Sequence, residues 1–346
     1  MTTAVTPKDQ TTVLTAIREV AESTIAPAAA VIDRERRFPA ENLAALGAVG
    51  GLGLTIPVDH GGCGGGMSAL AAACDAVGAA CASTAMVFLM HCVASATLGA
   101  GGGDLAATAL GRFAAGEGIA SLAFSERGTG AHFYAPDIRV TRGRDGSLLV
   151  SGRKSFVTSA GHADYYVLLL AGEDEGSADL YVVDREQPGV RADGDWRGLG
   201  MAGNSSIALG LTDVHLGPAA RVGSAGAGLE LVFTAVAPFF LVGLAAVGVG
   251  IASAAAAAAI EHVKARVYAD RTSLADVQYI QHLLADMDAT VRAARLQVQD
   301  AARLGDSGDP GALVAIMEAK IVATESASEV TDMALLATGG QGYTPA

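Results

Sequence analysis

The sequence predicts an α+β protein, mostly α, ordered as a helical segment, a β segment and a second helical segment. Two observations carry this expectation. Apolar residues recur every three or four positions up to about Leu110 and again after Ala225, whereas the period drops to two between Ser121 and Leu216. Alanine-rich runs such as ASAAAAAAIEH fall in the outer segments, where alanine loses almost no entropy on forming helix. The boundaries are placed at residues 1–118, 119–218 and 219–346. A chain of 346 residues is long enough for two or three packed units, and 51% hydrophobic against 17% charged residues argues against disorder.

Each element has a local reason. TTVLTAIREVAESTIAPAAAVIDRE repeats apolar positions at helical spacing, and FPAENLAALGAVG starts a second helix behind a proline. IPVDHGGCGGG is a glycine-rich turn that lets helices approach; no Lys-Ser/Thr follows it, so it does not read as a phosphate cradle. DIRVTRGRDGSLLVSGRKSFVTS alternates, with RDGS as a turn between strands, and YYVLLLA and DLYVVD are short strands. LADMDATVRAARLQVQDAARL is the clearest amphipathic helix of the last segment. The stretch from Leu231 to Ile260 carries no charge over more than the roughly 20 residues of a bilayer span. It is built of Ala and Gly rather than Leu and Ile, and its flanks resume soluble patterning, so it reads as a buried bundle helix and no membrane span is expected.

The net charge of −13 and the absence of any Lys/Arg cluster argue against a nucleic-acid partner. The N-terminus MTTAVTPKDQTTVL has no basic stretch followed by an apolar one, so a cytoplasmic protein is expected. Cys63, Cys74, Cys81 and Cys92 form no CxxC and read as buried thiols. His91, within FLMHCV, reads as a satisfied core or cleft residue. No His, Cys and carboxylate set has metal-ligand spacing, and no GxSxG motif is present, so no metal is expected.

One segment stands apart. SLAFSERGTGAHF runs from an apolar, strand-like stretch directly into a charged pair and two glycines. Together with GRKSFVTSAGHADYYVLLL, DWRGLGMAGNSSIALGLTDVHL, VQYIQHLLADM and ATGGQGY, in that order, it resembles the acyl-CoA dehydrogenase superfamily of flavoproteins over essentially the whole chain. The resemblance implies an N-terminal helical domain, a β-barrel-like middle domain, a C-terminal four-helix bundle and an FAD cofactor. It implies that Leu122, Phe124, Ser125, Gly130 and Ala131 line that cofactor, with glycines at 128 and 130 allowing positive φ and close backbone approach. Phe156, Val157 and Thr158 would flank the flavin ring on its other side. Arg266, Gln278, Leu336, Gly339 and Gly340 would reach the cofactor of a neighbouring subunit, with Arg271 competing with Arg266 for the phosphate role. A homo- or hetero-oligomer is implied, a dimer or tetramer.

The same resemblance marks a departure. Dehydrogenation of an acyl thioester needs a carboxylate to take the α-proton. Most members carry it after the Gly-Gly-x-Gly turn, where this sequence reads GGQGYTPA and Ala346 falls at about the expected position. A minority carry it on the long helix, near Phe239 to Leu241, yet no Asp or Glu occurs from Leu231 to Ile260. Ala131 and His132 replace the Ser and Asp that end the family's glycine-rich loop, and an imidazole there could act as acid or base. Three readings follow: CH-CH oxidation of an acyl thioester in a mixed oligomer whose partner supplies the base, a flavin-dependent monooxygenase of the same fold, and a non-catalytic assembly subunit. An electron-transfer flavoprotein would serve the first and a flavin reductase the second.

Overall fold

The computed structural model describes residues 9–344. Ala346, the expected position of the base, and the first eight residues of the N-terminal stretch lie outside the described residues. The chain opens with α1 (Gln10–Val20), a π-helical turn (Ala21–Ile25) and α2 (Ala26–Glu35) without a break. Pro27 explains the turn. It has no N–H to donate and its ring crowds the carbonyl four residues back, so the helix widens and the Ala26 N–H donates to the carbonyl of Ala21. Then come α3 (Ala40–Ala48), α4 (Met67–Ala80), α5 (Ala82–Gly101) and α6 (Asp104–Ala114). As expected, α3 starts directly behind Pro39.

The middle segment holds β1 (Ala120–Ala123), β2 (Arg139–Arg142), β3 (Leu148–Val157), β4 (Tyr165–Ala171), β5 (Ala178–Asp184), β6 (Val190–Asp193), β7 (Ile207–Leu216) and β8 (Arg221–Val222). They form two four-stranded sheets, ordered β1-β4-β5-β8 and β2-β3-β7-β6. Only β1 and β4 pair in parallel. The RDGS turn closes the β2–β3 hairpin, with Gly146 at φ 80° and the Asp145 carboxylate accepting from the Ser147 N–H. DWRGLGMAGNSS is no strand; residues 194–206 are the irregular connection between β6 and β7, rich in the Gly, Asn and Ser that favour turns.

The last segment comprises α7 (Gly228–Leu231), a second π turn (Val232–Val236), α8 (Ala237–Ala265), α9 (Gln278–Asp306), α10 (Ala312–Thr338) and a 3₁₀ turn (Gly339–Tyr343). Pro238 sits just inside α8 as Pro27 sits in α2, and the Ala237 N–H donates to the carbonyl of Val232. Three long helices, α8, α9 and α10, pack on one another, and α4 of the N-terminal domain covers the fourth side of α8. Two carboxylates tie α9 to α4. Asp306 accepts from the N–H groups of Met67 (2.6 Å) and Ser68 (3.0 Å), capping α4, and Asp75 takes two hydrogen bonds from Arg295 (2.7 and 3.1 Å). By length and composition Ala82–Gly101 and Gly228–Ala265 could each cross a membrane, but 72% and 61% of their most apolar windows are buried inside the protein.

Small residues make the α4–α8 contact possible. A Cβ on Gly250 would collide with the Asp75 carbonyl oxygen and stand 2.7 Å from the Ala79 nitrogen, both backbone atoms that cannot rotate away. Gly250→Ala should therefore destabilise the fold by about 1–2 kcal/mol, although alanine is the better helix former, because overpacking outweighs propensity. A denaturant midpoint equal to or above that of the parent would contradict this.

His91 joins the helical layer to the sheet. It is fully buried, its Nε2 lies 2.8 Å from the Leu52 carbonyl oxygen, and its Nδ1 accepts from the Ala120 N–H (3.1 Å) at the start of β1. These partners fix a neutral ring with the proton on Nε2. Burial pushes its pKa down to about 4 from an ordinary 6.5. The unfolded chain thus takes up this proton first on acidification. The stability His91 contributes is whole above pH 6.5 and drains away between 6.5 and about 4, to a limit of about 3 kcal/mol. Urea titrations at pH 7 and pH 4.5 should show His91→Gln losing less stability across that interval than the parent; equal losses would refute the assignment.

Candidate active site

β1 pairs with β4 alone, so its second edge is open. Leu122 is buried on it, and the chain continues through buried Phe124 to half-buried Ser125, whose carbonyl accepts from the Ser155 N–H (2.7 Å) on β3. The side chains of Leu122 and Phe124 belong to the core, so only the backbone of this strand can line a ligand. Gly130 has φ 54° and open space where a Cβ would stand. Gly128 does not adopt positive φ, and a Cβ there would meet only the Asp137 carboxylate at ordinary contact distance, so the turn requires just one of the two glycines.

Across from this loop, β3 ends in a bulge: its register against β7 shifts between Lys154 and Val157. The bulge turns Phe156 outward, at φ 52° and 74% exposed, while Val157 and Thr158 stay buried. The Thr158 and Ser206 hydroxyls are hydrogen-bonded at 3.0 Å. Phe156, Thr158, Trp196, Met201 and Met86 line a cavity of about 430 Å³. A second cavity of about 800 Å³ shares Phe156, Trp196 and Ser206 with it and adds Arg127, Arg153 and Arg197. Among the described residues seven non-glycines have positive φ; Phe156, Ser159, Met201 and Ser205 stand in or beside these cavities. Strained backbone gathers where function needs a fixed shape.

Two groups here escape a reading by motif. Lys154 is wholly buried, paired with Glu126 (2.6 Å) and donating to the Leu169 carbonyl (2.7 Å). Burial pulls its pKa below the ordinary lysine value while Glu126 opposes the shift. Both lie inside the quoted motifs, and Lys154 shares the alternating parity of buried Leu148 and Val150, which was the available signal. Trp196, the single tryptophan, offered another.

Three family models match the chain: the N-terminal, middle and C-terminal domains of acyl-CoA dehydrogenase, over residues 7–117, 121–214 and 232–346. The chain belongs to the acyl-CoA dehydrogenase family. It is 31% identical over 345 residues to a probable acyl-CoA dehydrogenase of Mycobacterium tuberculosis, covering 98% of this chain and 87% of that protein. Butyryl-CoA dehydrogenase of Megasphaera elsdenii superposes with a TM-score of 0.89 at 25% identity, over 97% of this chain and 89% of that one. A dibenzothiophene monooxygenase of Paenibacillus sp. A11-2 shares the fold, with a TM-score of 0.84 at 20% identity over 95% of this chain and 87% of that one. The family consists of FAD-dependent oxidoreductases, and FAD is the cofactor.

The residues present fit a flavin. Its ring is flat, apolar on its faces and polar along its edges, and the chain offers an exposed aromatic face at Phe156, hydroxyls at Thr158 and Ser206, and an open strand edge at β1. Ala131 and His132 are exposed on the loop that follows β1. The His132 ring meets the edge of Tyr134, which in turn packs on Phe233 in the π turn before α8. His132 lines neither cavity.

The remaining predicted residues lie elsewhere. Arg266 ends α8, Gln278 begins α9, and Leu336, Gly339 and Gly340 close α10, so α8 running up, α9 down and α10 up places them at one end of the bundle. All are exposed. Phe233 precedes the other end of α8, and 29 residues of helix separate the two by about 40 Å. The loop that carries His132 and Tyr134, packed on Phe233, therefore stands at the far end of α8 from that group. Arg271 forms the tip of the α8–α9 connection at φ 70°, also exposed.

Thr158→Val should weaken FAD binding about three- to tenfold, the loss of one hydrogen-bonding group, with little change in thermal midpoint. Fluorescence titration of the flavin-free protein checks this, and an unaltered dissociation constant would remove Thr158 from the site.

Proposed function

We propose that the chain oxidises the CH-CH bond of an acyl thioester, working as an oligomer in which a neighbouring subunit completes each cofactor site. Bound FAD supplies the acceptor for the electron pair. The chain's own residues hold it: the open edge of β1 and the Thr158 hydroxyl orient the ring, and Phe156 and Trp196 keep water from it. The observation that carries the oligomer is the exposure of Arg266, Gln278, Leu336, Gly339 and Gly340 together at one end of the bundle, the far end of α8 from the π turn on which Tyr134 packs. Exposed Leu335, Leu336, Met317 and Ile321 on α10 suit burial against another subunit. Electrons would leave to an electron-transfer flavoprotein, and the location is cytoplasmic.

The proton acceptor is the open term. No Asp or Glu stands between Leu231 and Ile260, so the stretch of α8 around Phe239 to Leu241 does not supply it, and a carboxylate of a partner subunit is the source this reading requires. The same observation favours a second reading, a flavin-dependent monooxygenase served by a flavin reductase, in which no α-proton is taken and exposed His132 provides the acid-base group. A non-catalytic assembly subunit would show neither activity.

The deciding experiment is anaerobic mixing of FAD-loaded protein with butyryl-CoA or octanoyl-CoA. The chain alone should bleach its flavin at least 10²–10⁴-fold more slowly than a complete dehydrogenase, the usual consequence of lacking a positioned base. Co-expression with a glutamate-bearing relative should restore bleaching. Fast bleaching by the chain alone would show that it holds its own base. Failure with every partner, combined with oxygen-dependent product formation on supply of reduced flavin, would establish the monooxygenase.

A further inference from the structure

We propose that the Glu126–Lys154 ion pair is a positioning device that sets residues 125–137 in their cofactor-facing shape before FAD binds. The inference rests on the reading that this loop faces FAD. Lys154 has no solvent exposure, and its ammonium reaches three elements at once: the Glu126 carboxylate (2.6 Å) at the start of the loop, the Phe124 carbonyl (3.4 Å) at the exit of β1, and the Leu169 carbonyl (2.7 Å) on β4. The second oxygen of Glu126 accepts from the Asp137 N–H (2.9 Å) at the far end of the loop. A single buried pair thus fastens both ends of an eleven-residue excursion to β1, β3 and β4.

Between those ends the excursion is held lightly. Arg127, Gly128, Gly130, Ala131 and His132 are exposed, packing on the core is confined to Phe133 and Tyr134, on which the His132 ring rests, and its internal backbone bonds are short-range turns from Thr129 to Glu126, His132 to Thr129 and Ala135 to His132. A buried ion pair seldom improves stability over apolar side chains of the same volume, but breaking one by removing a single partner leaves an uncompensated charge. What this pair contributes is geometry. With its ends fixed, the loop loses less freedom when the cofactor arrives, which appears as affinity.

Two measurements test this. Hydrogen exchange on the flavin-free parent should show the Asp137 amide and the Ser125–Glu126 segment already protected, with FAD adding little at these ends. FAD titrations should give a dissociation constant about 10–100-fold higher for Glu126→Gln than for the parent, with a displaced flavin absorption band, whereas Gly250→Ala, which loosens a remote helix crossing, should bind FAD within about twofold of the parent. Lys154→Arg, which keeps the charge, should recover more affinity than Lys154→Met. If the parent binds FAD and Glu126→Gln binds it equally well with an unshifted band, the inference is overturned and the cofactor reading stands. A parent that takes up no FAD overturns both. Should the variants fail to fold, exchange in the parent decides alone: loop ends that exchange freely without FAD and slow only with it refute preorganisation.

Discussion

Thirty residues without a charge, Leu231 to Ile260, run through the π turn and most of α8, and the architecture follows from covering that stretch. Four helices meet it: α4, α5, α9 and α10. Two of these come from the N-terminal domain, so the first and last thirds of the chain must fold onto each other, and the β domain is carried between them. Small side chains make such complete coverage possible. Gly78 and Gly250 let α4 and α8 approach to backbone contact, a geometry that larger apolar residues would hold apart. The scarcity of aromatics and the abundance of Ala and Gly are one fact with the close crossing.

Charge is used sparingly and at the joints. Asp306 and Asp75 fasten α9 to α4, His91 fastens the helical layer to β1, and Lys154 with Glu126 fastens β1 to β3 and β4. Exposed pairs such as Arg34–Glu35 and Arg197–Asp195 lie in water, where the attraction is offset by hydration and side-chain entropy. The burial of the Cys74 and Cys92 thiols pushes both pKa values up, so they behave as small apolar side chains and take no part in this pattern.

The architecture was legible in the sequence because its signal is repeated: alternation marks β2 and β3, short apolar runs mark β4 and β5, and helical spacing marks α1 to α5 and α8 to α10. What periodicity could not reveal is a change of phase. The π turns before Pro27 and Pro238 each insert an extra residue, so the apolar stripe read before the proline does not continue in register after it. Two of the side chains that a motif names, Phe156 and Thr158, line a cavity. Leu122 and Phe124, named by the first motif, have side chains that fill the core, which periodicity alone did not separate from a ligand-lining role. Gly128 was assigned a conformation that only Gly130 adopts. The α8–α9–α10 end of the bundle was named residue by residue through the resemblance, as a group reaching a neighbouring subunit's cofactor; spacing alone does not reveal that the up-down-up course of the three helices brings these residues to one end. Glu126 and Lys154 went unassigned because a motif records that a charge is present and not that it is buried.

Phe156 occupies backbone territory that glycine and asparagine enter cheaply and a bulky side chain does not. Its ring is turned to solvent and returns almost nothing to the core. On the reading that Phe156 walls the flavin, selection for folding and selection for cofactor binding pull this one position in opposite directions. A library screened for heat resistance alone would drift toward Gly or Asn at 156 and lose its yellow colour as it gained stability, whereas natural sequences under both pressures would hold the aromatic at the cost of a softer fold.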